Sequence, residues 1–211
     1  MDVAPLKELI YWADIVDGAK YASAKAAVEM AEPAMKLTMV IESAPDVIVE
    51  SAPGGAGGSI SRKFIPLLTE MPLVEVLEQP FVQELLEPLM ERHWAWLELI
   101  RERAVCERGV ISFDIADHPT EGYNKFIPYY LHPEGTYHVG LSKSSFRTKV
   151  SVGTNPWTKK PASELVNIAE ICERYGGGGH ARVGAISFPV DGEDEARRAV
   201  AEIVGELGAR E

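Results

Sequence analysis

Apolar residues recur at helical spacing as far as about residue 108 and at alternate positions after it, so the chain reads as helices first and a sheet second. Leu6, Leu9, Ile10 and Ala13 predict a helix from Pro5 to Gly18, with Pro5 suited to a first-turn position. Ala27, Met30, Ala34, Leu37, Val40 and Ile41 predict a second helix, capped by Ser23, running to about Ser43 and kinked at Pro33. Phe81, Leu85, Leu89, Trp96, Ile100 and Ala104 form the stripe of a long helix from Gln79 to about Arg108. After Gly109 the alternation predicts strands at Val110–Ile115, Phe126–Leu131, Thr136–Leu141 and Arg147–Val152, with His132-Pro133-Glu134-Gly135 as a turn. A helix from Ala162 to Arg174, a strand from Gly184 to Val190 and an amphipathic helix from Glu193 to Leu207 complete the pattern.

The expected fold class is therefore α/β. A helical N-terminal segment (1–45) leads through a linker (46–108), with a glycine-rich loop and the long helix, to a C-terminal mixed-sheet domain (109–211) with helices packed on it. The small residues of Ser51–Ser59 make a flexible loop; no helix N-terminus with a lysine follows to form a nucleotide cradle.

Composition narrows the function. With 32 acidic and 21 basic residues the net charge is −11, which argues against a protein that coats duplex nucleic acid. A phosphate-bearing ligand must then be gripped locally, which favours a small phosphorylated substrate, a nucleotide or a short oligonucleotide. No apolar run approaches the ~20 residues of a membrane span, and the N-terminus lacks the basic start and apolar core of a signal peptide, so the cytoplasm is the expected compartment. Cys106 and Cys172 lie far apart in helical-looking segments and read as isolated thiols rather than a disulfide or metal pair.

The segment that carries chemistry is Arg174-Tyr175-Gly176-Gly177-Gly178-Gly179-His180. Four glycines strip the side chains from a backbone whose N–H groups can converge on an anion, and His180 and Arg182 follow as donors. A glycine helix cap is the structural alternative, but one glycine suffices for that.

With Val183-Gly184-Ala185-Ile186-Ser187-Phe188 behind it, this motif resembles the C-terminal substrate-binding domain of the DHH phosphoesterase superfamily, which includes RecJ-type exonucleases, oligoribonucleases, cyclic-dinucleotide phosphodiesterases and exopolyphosphatases. The resemblance implies that Gly176, Gly177, Gly178, Gly179 and His180 bind substrate phosphate, with Arg182 beside them. Many relatives carry an arginine where Gly153 falls; Asn155, Arg147 or Lys149 would then stand in for it. Ile10–Ala19 is similar to the last catalytic motif of these enzymes, which implies a catalytic and metal-ligating role for Asp14 and a metal cofactor, Mn²⁺ or Mg²⁺. Two divalent ions need several carboxylates and histidines. The sequence contains no Asp-His-His triplet, Asp117-His118 reads as a polar loop, and His93, His132 and His138 show no ligand spacing.

The expected function is a phosphoesterase-family protein binding the phosphate of a nucleotide, oligonucleotide or other phosphorylated substrate for metal-dependent hydrolysis. This stretch by itself is expected to be inactive, as a truncated reading of a longer enzyme or a natural fragment. The alternatives are a non-catalytic nucleotide- or nucleic-acid-binding module and a structural oligomerisation fragment, in which a helical remnant with Leu9, Ile10, Tyr11 and Trp12 on its surface would favour a homodimer.

Overall fold

A computed structural model describes residues 4–43, 60–120 and 122–211, so the Ser51–Ser59 loop lies outside the described residues. The chain divides into two compact units, Met1–Trp94 and Ala95–Glu211.

The first unit is helical. Helix α1 (Ala4–Asp17) ends as Ala19 turns left-handed at φ 49°, with Lys20 N–H donating back to the Ile15 carbonyl at 2.8 Å. Helix α2 (Ala24–Glu29) is capped by Ser23, whose Oγ accepts from the Ala26 N–H at 3.1 Å. The single kinked helix expected over residues 23–43 is in fact two. Met30 leaves the helix at φ 49°, and Pro33 opens α3 (Pro33–Ser43) rather than bending a continuing helix. Helices α4 (Ile60–Glu70), α5 (Leu73–Leu77) and the start of α6 (Pro80–Arg103) follow. Leu37, Val40, Phe64, Val76 and Val82 form the core of this unit, and Leu9 and Trp12 of α1 pack against it. Ile10 and Tyr11 remain exposed.

The second unit is a six-stranded mixed sheet in the order β1-β2-β3-β4-β6-β5, so the α/β fold class read from the sequence is the fold observed. The long helix stops at Arg103, short of the expected Arg108, because Val105–Glu107 is strand β1. A two-residue turn joins it to β2 (Val110–Asp114), with Arg108 at φ 46° and Gly109 at φ 69°, the left-handed pair that tight antiparallel hairpins need. Phe126–Leu131, expected as a strand, is instead helix α7 (Ile127–Leu131). Pro128 suits its first turn and would have cost a central strand a ladder hydrogen bond, and Asn124 Oδ1 accepts from the Phe126 N–H at the entrance. Strands β3 (Tyr137–Lys143) and β4 (Thr148–Thr154) form the centre. The helix expected over 162–174 is a 3₁₀ turn (Ala162–Glu164) and then α8 (Ile168–Glu173), which Asn167 caps through the Ala169 N–H. Strand β5 (Gly178–His180), β6 (Val183–Phe188) and α9 (Glu193–Gly208) end the chain.

The two sheet faces differ sharply. Val110, Val139, Leu141, Val150, Val152 and Ile186 bury one face against Ile168 and Ile171 of α8 and Ile203 and Leu207 of α9. The alternate residues point the other way. One cross-strand row on that second face runs Cys106, Ile111, His138, Gly153, Val183, His180, through every strand of the sheet.

Candidate functional site

The glycine motif is not one loop. Gly176 stands left-handed at φ 73°, its N–H donating to the Glu173 carbonyl while the Gly177 N–H reaches the Cys172 carbonyl at 2.9 Å. That pair of bonds closes the end of α8, so this glycine caps a helix. Gly177 and Gly179 lie flat against β6: an added Cβ would sit 2.3 Å from the Ala185 carbonyl oxygen in one case and 2.3 Å from that of Val183 in the other. Like the capping Gly176, Gly178 of strand β5 faces open space. Its row is Gly178, Ala185, Ser151, Gly140, a floor of small residues on the second face. His180 and Arg182 are exposed at the tip of the β5–β6 hairpin. The structure thus gathers Gly178, Gly179, His180 and Arg182 on one sheet edge.

Asn155 sits elsewhere in purpose. It is buried, its Nδ2 donates to the Gly135 carbonyl at 2.8 Å and its Oδ1 accepts from the Trp157 N–H at 3.0 Å. Its amide is spent on holding the turn before β3. Asp14 belongs to the first unit, where it is exposed and paired with Lys20 at 2.6 Å, a contact set up by the left-handed turn that ends α1. It joins no group of three or more metal-binding side chains among the described residues, so they offer no set of ligands fit for a pair of Mn²⁺ or Mg²⁺ ions.

Beside the small-residue floor, the second face opens into a cavity of about 110 Å³ lined by Thr120, Tyr123, Lys125, His138, Ser142, Ser144, Phe146, Arg147, Lys149 and Ser151. Lys149, Ser151 and Arg147 come from β4 and its entrance; Ser142 and His138 come from β3. The strand residues among them alternate with the buried Val139 and Leu141 of β3 and Val150 and Val152 of β4. Arg147 donates from Nη1 to Ser187 Oγ at 3.0 Å and stacks over Phe146. Among the described residues no carboxylate lines the cavity, and neither Lys125, Arg147 nor Lys149 joins a salt bridge.

The electrostatics match that geometry. Burial pushes the Lys149 ammonium below its usual range, and the neighbouring Arg147 charge adds to the push. Burial lowers the His138 imidazole to about 4, with Lys149 contributing, so it is neutral at pH 7. Removal from water raises the Tyr123 phenol to about 12, against the opposing hydrogen bond from Ser151, and lifts Tyr129 well above its usual value. With Tyr129 protonated, its O–H donates to His138 Nδ1 at 2.6 Å, which assigns the ring proton to Nε2. The cavity therefore offers hydroxyls, a neutral imidazole and half-buried cations that no carboxylate of the described residues neutralises. That arrangement suits an anion.

Sequence reasoning reached Arg147 and Lys149 only as substitutes for an arginine at position 153. It missed Lys125, Ser142 and Ser151, although Lys149 and Ser151 alternating with Val150 and Val152 signal a polar sheet face.

No protein-family model matches the chain, and no curated protein does. A solved structure, the pGpG-specific phosphodiesterase PggH from Vibrio cholerae, superposes with a TM-score of 0.72 over 97% of this chain and 68% of that one, at 19% identity. This chain has that phosphodiesterase's fold. The DHH domain of a member of the s1p family of ribosomal proteins is more distant, with a TM-score of 0.46 at 16% identity over 82% of this chain and 42% of that one. Among the described residues, no helix is long and apolar enough to cross a membrane.

Proposed function

We propose that the second unit binds a nucleotide or short oligonucleotide by its phosphates, as the substrate-binding part of a DHH-type phosphoesterase. The observation that carries this reading is the half-buried pair Arg147 and Lys149, lining a cavity with no carboxylate among its described residues in a chain of net charge −11. Isolated cations of one sign are costly to desolvate, and an anionic ligand offsets that cost.

Spacing favours a ligand longer than one phosphate. Lys149 pairs with Ser187 and His180 with Val183, which puts the two Cα atoms roughly 17 Å apart by strand geometry. One phosphate held by Lys149 and Arg147, and a second group reaching His180 along the Ser151–Gly178 floor, would occupy both ends. That length agrees with a dinucleotide of the kind the Vibrio cholerae enzyme is named for. Hydrolysis itself needs a metal centre, Mn²⁺ or Mg²⁺, whose ligands would have to join Asp14 from outside the described residues.

Calorimetric titration with a 5′-phosphorylated dinucleotide tests the reading. Binding that falls at least tenfold in Lys149→Ala and in His180→Ala, with folding intact, is the expected result. Equal affinity in the parent and both variants would overturn it. Turnover of a phosphodiester with Mn²⁺, lost in Asp14→Ala, separates the enzyme from a binding module without catalysis.

A further inference from the structure

At the end of the sheet opposite His180, Cys106 converges with a pair of side chains more than twenty residues further along the chain. Cys106 lies on edge strand β1, and its partner in β2 is Ile111, which places its thiol on the second face. His132 and Glu134 come from the turn between α7 and β3. The Cys106 Sγ, a His132 ring nitrogen and a Glu134 carboxylate oxygen all lie within 4.8 Å of one another, and His132 Nδ1 is 3.3 Å from Glu134 Oε1.

These distances are close to those of a metal polyhedron. Tetrahedral zinc with ligands at about 2.0–2.3 Å sets its donors roughly 3.3–3.8 Å apart, so small rotamer adjustments bring all three into range. The donor set is also selective. Sulfur and imidazole nitrogen suit zinc, whereas Mg²⁺ and Mn²⁺ prefer oxygen. One thiolate and one carboxylate neutralise a divalent charge, and a neutral histidine completes three ligands with a fourth position for water.

The turn is built before any metal arrives. The His132 N–H donates to the Pro128 carbonyl at 2.9 Å, the Gly135 N–H to the His132 carbonyl at 3.0 Å, and buried Asn155 ties the Gly135 carbonyl down at 2.8 Å. Pro133 stiffens the residue between the two ligands. Asn155 thereby acquires a role the glycine-motif resemblance did not suggest, holding the ligand-bearing turn in place.

We propose that Cys106, His132 and Glu134 form a zinc site that clamps edge strand β1 to the turn preceding β3. Five strand spacings separate Cys106 from His180, about 24 Å at ~4.8 Å each, and two separate it from His138 of the cavity, about 10 Å, so the site shares the second face with the cavity but uses none of its lining residues.

Titration of the metal-free full chain with Co²⁺, followed by competition with Zn²⁺, tests the proposal. The expected result is one equivalent of Co²⁺ giving a thiolate-to-cobalt charge-transfer band in the near ultraviolet, displaced by Zn²⁺. Zn²⁺ should also raise the thermal unfolding midpoint. Cys106→Ser should abolish the band, and His132→Gln and Glu134→Gln should each weaken binding tenfold or more, with circular dichroism confirming that the variants fold. Glu134 is exposed, so its variant keeps the test open even if the other two fail to fold. Absence of the band, or equal affinity in Glu134→Gln and the parent, overturns the proposal.

Discussion

Gly153 of β4 stands directly opposite His138 of β3, and a Cβ on the glycine would lie 2.6 Å from the imidazole Cε1 and 3.0 Å from the Tyr129 hydroxyl. The hydrogen-bonded His138–Tyr129 pair thus occupies the space that any side chain at position 153 would need. Gly153→Arg should therefore cost about 1–3 kcal/mol through overpacking. His138→Ala in the same chain should recover much of that loss. Urea unfolding of the two single variants and the double variant measures the coupling; strict additivity would contradict the steric account.

The same imidazole makes stability depend on pH. In the unfolded chain a histidine titrates near 6.5, and here burial brings it to about 4. Between those values the unfolded chain binds a proton that the native chain does not, so stability is full above 6.5 and falls as the pH drops toward 4. The span corresponds to about 3 kcal/mol by linkage. His138→Gln, which keeps an acceptor for Tyr129, should flatten that part of the profile in urea unfolding at pH 7 and pH 4.5.

The four glycines of the motif should respond unequally to alanine. Gly177→Ala and Gly179→Ala meet backbone oxygens at 2.3 Å and should lower stability by about 2 kcal/mol or more. Gly178→Ala meets nothing within 4 Å and should leave the melting midpoint nearly unchanged. If its bare backbone lies under a ligand, the same substitution should weaken dinucleotide binding, read in a titration beside the melting curve.

Lys149→Met keeps the length of the side chain and removes a half-buried charge beside Arg147. We expect a stability gain of a few tenths to about 1 kcal/mol together with a loss of phosphate affinity. Salt dependence of the remaining binding should also become shallower, since one fewer cation meets the ligand. A variant that lost stability and kept affinity would place Lys149 among structural residues.

Much of this fold is legible in the sequence because its signals are local. Ser23 caps where a cap was expected, the 193–207 stripe is α9, and alternation in 136–141 and 147–152 gives the two central strands. Where the reading failed, a longer-range or punctuating effect prevailed. Pro33 starts a helix instead of kinking one, and Pro128 turns an apolar run into α7. The hairpin at Arg108-Gly109 takes Cys106 out of a helix and into a strand. The candidate site was half legible for the same reason. The glycine motif is contiguous, whereas the basic cavity and the Cys106–His132–Glu134 cluster exist only through strand register and a turn held by Asn155. No spacing rule along the chain connects residues 106 and 132.

Strand β5 ends the sheet with three exposed residues, two of them glycine. An open sheet edge normally invites a stray strand from another molecule, and long apolar edges aggregate that way. Here the edge is too short and too bare of side chains for an incoming strand to grip, yet its amides stay accessible. The same poverty of side chains that lets a ligand approach the backbone also discourages the wrong kind of visitor, so the edge can remain open in a crowded cell.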